Sequence, residues 1–123
     1  GAVFIGTNPD VTHPGSKGIE PGSGAMIAAF KAMTGIEPII MGKPFRIIMD
    51  AALDQLKLTA DRVLVVGDRL DTDVKAGKTI GADTALVLTG ITKESDLENV
   101  PPELKPTYVF RNLHELVHKL YEE

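Results

Sequence analysis

RVLVVGDRLDTD, residues Arg62 to Asp73, opens as a Val- and Leu-rich run and closes on three carboxylates. Arg62 to Val66 has the composition of a parallel strand buried on both faces. Gly67 ends it, and Asp68, Asp71 and Asp73 follow. Like charges this close repel unless solvent, a cation or hydrogen-bond donors offset them. The crevice beyond the strand ends of an open α/β sheet is where ligands bind. One reading is therefore a hard divalent cation held through oxygen, Mg²⁺ being usual where phosphate is involved. The other is that Asp71 or Thr72 caps the next helix and the acids are solvated, since acidic helix starts are common. Local sequence leaves both open.

Upstream, Ile39 to Met41 is a short apolar strand running into Gly42-Lys43-Pro44. Proline cannot continue a ladder, so Lys43 falls at the strand's end with its ammonium free to enter the mouth of the sheet. Phe45 to Leu58 has helical spacing, with Ile47 or Ile48, Ala51 or Ala52, and Leu56 on the inner side. Alone, Lys43 reads as a surface lysine. A right-handed βαβ unit, however, opens both strand ends on one edge and brings it to the acids.

Downstream, Thr72 to Ile80 is predicted as a helix stopped near Gly81, and Thr84 to Leu88 as a buried strand ending at Thr89-Gly90. A short helix over Lys93 to Asn99 and a strand at Tyr108 to Phe110 follow. Asn112 then caps a terminal helix with Leu113, Leu116, Val117 and Leu120 inside. His114 and His118 have an i, i+4 spacing that can bind zinc, but with no evident partner they read as exposed helix residues. Strand–helix alternation from Ile39 onward argues for an α/β fold, a three-layer Rossmann-like parallel sheet.

Before Ile39 the pattern changes. Ala2 to Ile5 is a strand candidate, and Gly6 to Gly24 is so rich in Pro, Gly and Asn that regular structure is not expected. Loops this long are usually functional or disordered, and His13 in it either meets a ligand or is solvated. Ser23 is the expected N-cap of a helix that ends at Gly35, with Met26, Ile27, Phe30 and Met33 on one apolar face and the methionines as core filler.

The chain has 123 residues, 43% of them hydrophobic, the size of one domain or a piece of a larger one. A formal net charge of −4 without a basic stripe argues against nucleic-acid binding. No cysteine is present, which excludes disulfides and zinc–thiolate sites and fits a cytoplasmic protein. No apolar run reaches membrane-spanning length, and GAVFIGTNPD lacks signal-peptide features.

Gly42-Lys43-Pro44, Val66-Gly67-Asp68-Arg69-Leu70-Asp71-Thr72-Asp73 and Leu86-Val87-Leu88-Thr89-Gly90, in that order, resemble the haloacid dehalogenase (HAD) superfamily of phosphatases. The closer similarity is to its NagD-like and p-nitrophenyl phosphatase branch, which includes phosphoglycolate and pyridoxal phosphate phosphatases. Phe4 to Asp10 and Pro21-Gly22-Ser23-Gly24 also resemble that branch. The resemblance implies that Lys43 is the third-motif lysine, holding nucleophile and phosphoryl oxygens together, and that Asp68 ligates Mg²⁺. Asp73 would be the second acid of that motif, supporting the metal or Lys43, while Asp71 lies at a variable position. Residues 1–35 would be the end of a mobile cap and residues 36–123 the C-terminal half of the core. Asp10 to Gly18 would then lean over the substrate, with Asp10 and His13 as contacts.

One departure from that pattern is large. The family's nucleophile is the first Asp of an Asp-x-Asp strand end, and its second motif a Ser or Thr at another; neither is found upstream of Lys43. Thr7-Asn8 fits the cap segment better than that second motif. The resemblance therefore implies a C-terminal half, inactive alone because covalent catalysis needs its nucleophile. An apolar sheet edge left open would associate with the missing half or with a second copy, giving a homo-oligomer. The alternative is a non-catalytic α/β module that binds an anion or a metal, or that self-associates.

Overall fold

The structure is a computed structural model that describes residues 1–122; Glu123, the last residue of the expected core interval, lies outside the described residues. From the N-terminus the chain runs β1 (Ile5–Gly6), β2 (Thr12–Gly15), β3 (Gly18–Pro21), α1 (Ser23–Thr34), β4 (Ile39–Ile40) and α2 (Arg46–Leu56). It continues through β5 (Leu64–Gly67), a π-helical turn at Leu70–Val74, α3 (Lys75–Ile80), β6 (Asp83–Val87), β7 (Tyr108–Phe110) and α4 (Leu113–Tyr121). The α/β alternation expected from Ile39 onward is present. Its strands pair in two parallel ladders, β1–β4 and β5–β6–β7. The first ladder crosses the expected domain boundary at residue 35.

Within the larger ladder β6 takes the centre. Ala85 and Leu86 are fully buried, and so is Thr84, whose hydroxyl would be costly there without partners. Its main-chain N–H donates to Thr107 Oγ1 (3.1 Å) while Thr107 N–H donates to Thr84 Oγ1 (3.0 Å). α3 closes over this strand through Gly77, where a Cβ would collide with Thr84 Cγ2 and lie 3.1 Å from Val65 Cβ. Gly81, left-handed at φ 79°, stops the helix where the sequence placed its end. β5, expected to be buried on both faces, is not: among the described residues it pairs only with β6, and Val66 is 39% exposed.

The stretch Gly6 to Gly24 is not the irregular loop expected of it, for β2 and β3 form an antiparallel hairpin. Gly22 N–H donates to Val11 O, which makes that opposed pair hydrogen-bonded, so Thr12–Pro21 and Pro14–Ile19 fall at non-bonded positions. Both prolines thus lose no ladder bond. Gly18, at φ 129°, supplies the backbone that other residues rarely adopt beside the two-residue turn. At the opposite end Gly22, not Ser23, is the N-cap of α1, and Ser23 Oγ instead donates to Asn8 O (3.1 Å).

Three expected inner faces are open. On α1, Met26, Phe30 and Met33 are exposed, so the methionines are not core filler here; Ile47, Ile48 and Leu56 of α2 are exposed as well. The better-covered side of α2 carries Met49, Asp50 and Leu53. On α4 only Leu116 is buried, while Leu113, Val117 and Leu120 stay open. Periodicity marks which face is apolar, but burial needs covering neighbours: Phe30 meets only the edge of Phe4, at 6.3 Å between ring centroids, and of the α1 stripe only Ile27 is half-buried. The Asn112 cap is as expected, its side chain accepting from Glu115 N–H (2.9 Å).

Candidate active site

Parallel pairing of Ile5 with Ile39 and of Gly6 with Ile40 sends β1 and β4 out of the same edge, delivering Thr7-Asn8 beside Gly42-Lys43. Glycine is required at Gly42, since a Cβ would strike Thr7 O. From the other ladder β5 ends in Asp68, and the π-helical turn folds Asp73 back beneath the strand end. A Cβ at Gly67 would collide with the Asp73 carboxylate. Asp73 is 6% exposed, and burying a charge there requires partners. It has three: Oδ2 accepts from the Asp68 and Arg69 N–H groups, each at 3.1 Å, and Oδ1 accepts from Lys43 Nζ at 2.6 Å.

Lys43 and Asp68, placed by the sequence at strand ends on one edge, line a common cleft of about 520 Å³ with Asp73 and Asp10. Thr7, Asn8, Arg69 and Thr72 line it too, and sequence reasoning missed them. A signal for the first two existed: polar Thr-Asn directly after a strand candidate, the same arrangement that singled out Lys43. His13 is not on the cleft wall; it lies exposed on β2, Nδ1 3.3 Å from Pro14 O. Asp10 is fixed by its main chain, its N–H donating to Asn8 Oδ1 (3.1 Å) and its carbonyl accepting from Gly24 N–H (2.9 Å).

Asp71, left out by the sequence reading, has a structural job. Arg69 donates to it through Nε (3.0 Å) and Nη2 (2.7 Å). That fork holds the Asp71 carboxyl below the ordinary carboxylate range, against partial desolvation, and raises the guanidinium in return. On α4, His118 Nδ1 lies 2.8 Å from Glu122 Oε1, and among the described residues no group of three or more His, Asp or Glu is placed to hold a metal.

Fitness for Mg²⁺ is decided at Asp68. Its Oδ2 accepts from Ile91 N–H (2.7 Å), whereas Oδ1 has no hydrogen-bond partner among the described residues. Mg²⁺ keeps several waters and takes one or two carboxylates alongside phosphate oxygens, so one open carboxylate oxygen in a cleft fits as part of a donor set. Both Asp73 oxygens are already engaged.

A family model described as HAD-hydrolase-like matches residues 40–116. The chain belongs to that family. An acid sugar phosphatase of Staphylococcus aureus (strain USA300) is 42% identical over 120 residues, covering 98% of this chain and 46% of the relative. Among HAD-like solved structures, a p-nitrophenyl phosphatase from Archaeoglobus fulgidus superposes with a TM-score of 0.86 at 48% identity, covering 95% of this chain and 46% of the other. A glycerol phosphate phosphatase from Mycobacterium tuberculosis, solved with magnesium, has a TM-score of 0.85 at 38% identity, over 94% of this chain and 35% of the other. This HAD-family chain thus spans about half the length of the curated relatives it matches.

Proposed function

We propose that residues 1–123 are the C-terminal half of a Mg²⁺-dependent HAD phosphatase that hydrolyses small phosphomonoesters. Residues 1–35 end its cap, tied to the core through the β1–β4 ladder, and residues 36–123 complete the core. The observation that carries this reading is the 2.6 Å Lys43–Asp73 pair beside Asp68, whose Oδ1 is open, in one cleft at the strand ends. Lys43 neutralises phosphoryl oxygens and is held in place by Asp73, while Asp68 is the Mg²⁺ ligand. Asp10 faces the substrate from the cap side, and His13 on β2 is the second contact proposed from that side.

Charge spreads over the phosphoryl oxygens in the transition state, so fixed cations around them supply most of the catalysis. Bound Mg²⁺ adds positive charge that lets an anionic nucleophile approach an anionic ester. The nucleophile is an aspartate of the N-terminal half: its oxygen bonds to phosphorus as the ester oxygen leaves, and water then hydrolyses the aspartyl-phosphate. This chain alone is accordingly inactive. Among the described residues β4 pairs only with β1 and β5 only with β6, and Ile39 and Val66 beside these free edges are exposed. Such edges favour association with the missing half or a second copy, as a homo-oligomer. No helix of the described residues is long and apolar enough to cross a membrane. The proposed reading is a cytoplasmic enzyme that takes a phosphorylated metabolite, and a net charge of −4 without a basic stripe argues against nucleic acid.

The test is p-nitrophenyl phosphate turnover. The isolated chain should give none, the full-length parent should turn over with Mg²⁺, and Asp68→Ala or Lys43→Ala in the parent should abolish it. A parent without Mg²⁺-dependent turnover that still binds phosphate or Mg²⁺ would establish the non-catalytic module instead.

A further inference from the structure

Asp68 is gripped from a loop that the proposed chemistry does not use. After β6 the chain turns at Gly90, and two successive main-chain donors reach Asp68: Ile91 N–H bonds carboxylate Oδ2 (2.7 Å) and Thr92 N–H bonds the Asp68 carbonyl (3.1 Å). Gly90 lies so close that a Cβ there would run into Asp68 Oδ2, Cγ and Cβ. Lys93 Nζ braces the turn by donating to Gly90 O (2.9 Å), and Thr92 is buried at 6% exposure. The Ile91 side chain, by contrast, is 63% exposed. What the fold uses at Ile91 is its N–H.

A carboxylate torsion is soft and roughly two-fold, so an untethered aspartate samples many orientations. Fixing one oxygen leaves the other in a single position. We propose that the Gly90–Ile91 turn is a positioning element that locks Asp68 Oδ2 and thereby presents Oδ1 alone to the cation. This rests on the reading of Asp68 as the Mg²⁺ ligand. The turn touches neither substrate nor metal and acts only through Asp68. Partners that orient a ligand in this way typically account for about 10- to 100-fold in metal affinity.

The experiment measures the Mg²⁺ dissociation constant of the full-length parent by calorimetry, without substrate, for the native protein, Asp68→Asn, Ile91→Ala, Ile91→Pro and Gly90→Ala. Circular dichroism checks that each variant is folded. Ile91→Ala keeps the N–H and should bind as the native protein does. Ile91→Pro removes the donor, Gly90→Ala pushes the carboxylate aside, and each should weaken Mg²⁺ about 10-fold or more. Should Ile91→Pro not fold, Gly90→Ala carries the comparison. The inference is overturned if Asp68→Asn weakens Mg²⁺ while Ile91→Pro and Gly90→Ala stay within about twofold of native. It is overturned equally if Ile91→Ala loses as much as Ile91→Pro. An unchanged affinity in Asp68→Asn would instead remove the metal assignment beneath it.

Discussion

Replacing Asp73 by alanine should unfold the acidic loop at far lower denaturant than replacing Lys43, although the two form one ion pair. Asp73→Ala strips the acceptor from two main-chain donors, Asp68 N–H and Arg69 N–H, both at 3.1 Å, around a side chain 6% exposed. Hydrogen bonds to a charged group contribute about 1.5–3 kcal/mol each, so the pair is worth at least ~3 kcal/mol. The contact with Lys43 adds little, because the lysine side chain is 52% exposed and such pairs contribute about 0–1 kcal/mol. Lys43→Met loses only that last part and leaves Asp73 with both N–H donors. With a urea m-value of roughly 1–3 kcal/mol/M, the Asp73→Ala midpoint should fall by roughly 1–3 M, followed by circular dichroism. Lys43→Met should move it by a fraction of that. Equal shifts, or an Asp73→Ala midpoint within roughly 0.3 M of native, would refute the assignment of Asp73 as the residue that closes the loop.

Gly77→Ala should destabilise by about 1–3 kcal/mol in the same assay, since its methyl would overpack Thr84 and Val65 and outweigh the gain in helix propensity. Asn112→Ala removes the acceptor for Glu115 N–H and should cost about 1 kcal/mol, read as loss of α4 helicity or an earlier melt. For Asp71, the folded-state pKa is depressed, so the stability contributed by the Arg69 fork is fully present above the ordinary carboxylate pKa and is lost as pH falls through the depressed value. An NMR titration should place the Asp71 midpoint below the ordinary range, and Arg69→Gln should return it there; an unmoved midpoint would contradict the fork.

Local chemistry was legible where a residue's role depends on its neighbours in sequence. Gly35 and Gly81 end helices in left-handed conformations, Asn112 caps α4, and Tyr108–Phe110 is a strand, all as the local pattern indicates. It failed where breakers cooperate. Pro14 and Pro21 each look like interruptions, yet they share the non-bonded phase of one hairpin, a fact that appears only once the register is known. It also failed for burial, because the apolar stripes of α1 and α2 identify a sticky face without saying what lies against it.

The order of its motifs, by their resemblance to the HAD family, pointed to that family and to Lys43, Asp68 and Asp73, while the rule that strand ends of a parallel sheet open on one side put Lys43 near the acids. Tertiary structure alone decided how those groups divide the work. Asp73 is consumed by Lys43 and two main-chain donors, Asp68 keeps one oxygen free because Ile91 takes the other, and Thr7 and Asn8 join the cleft while His13 stays outside. The physical reason is that hydrogen-bond partners from Lys43 and from the turn after β6 lie far from the acidic loop in sequence. Which carboxylate oxygen is left open is set by those distant donors and by no local preference.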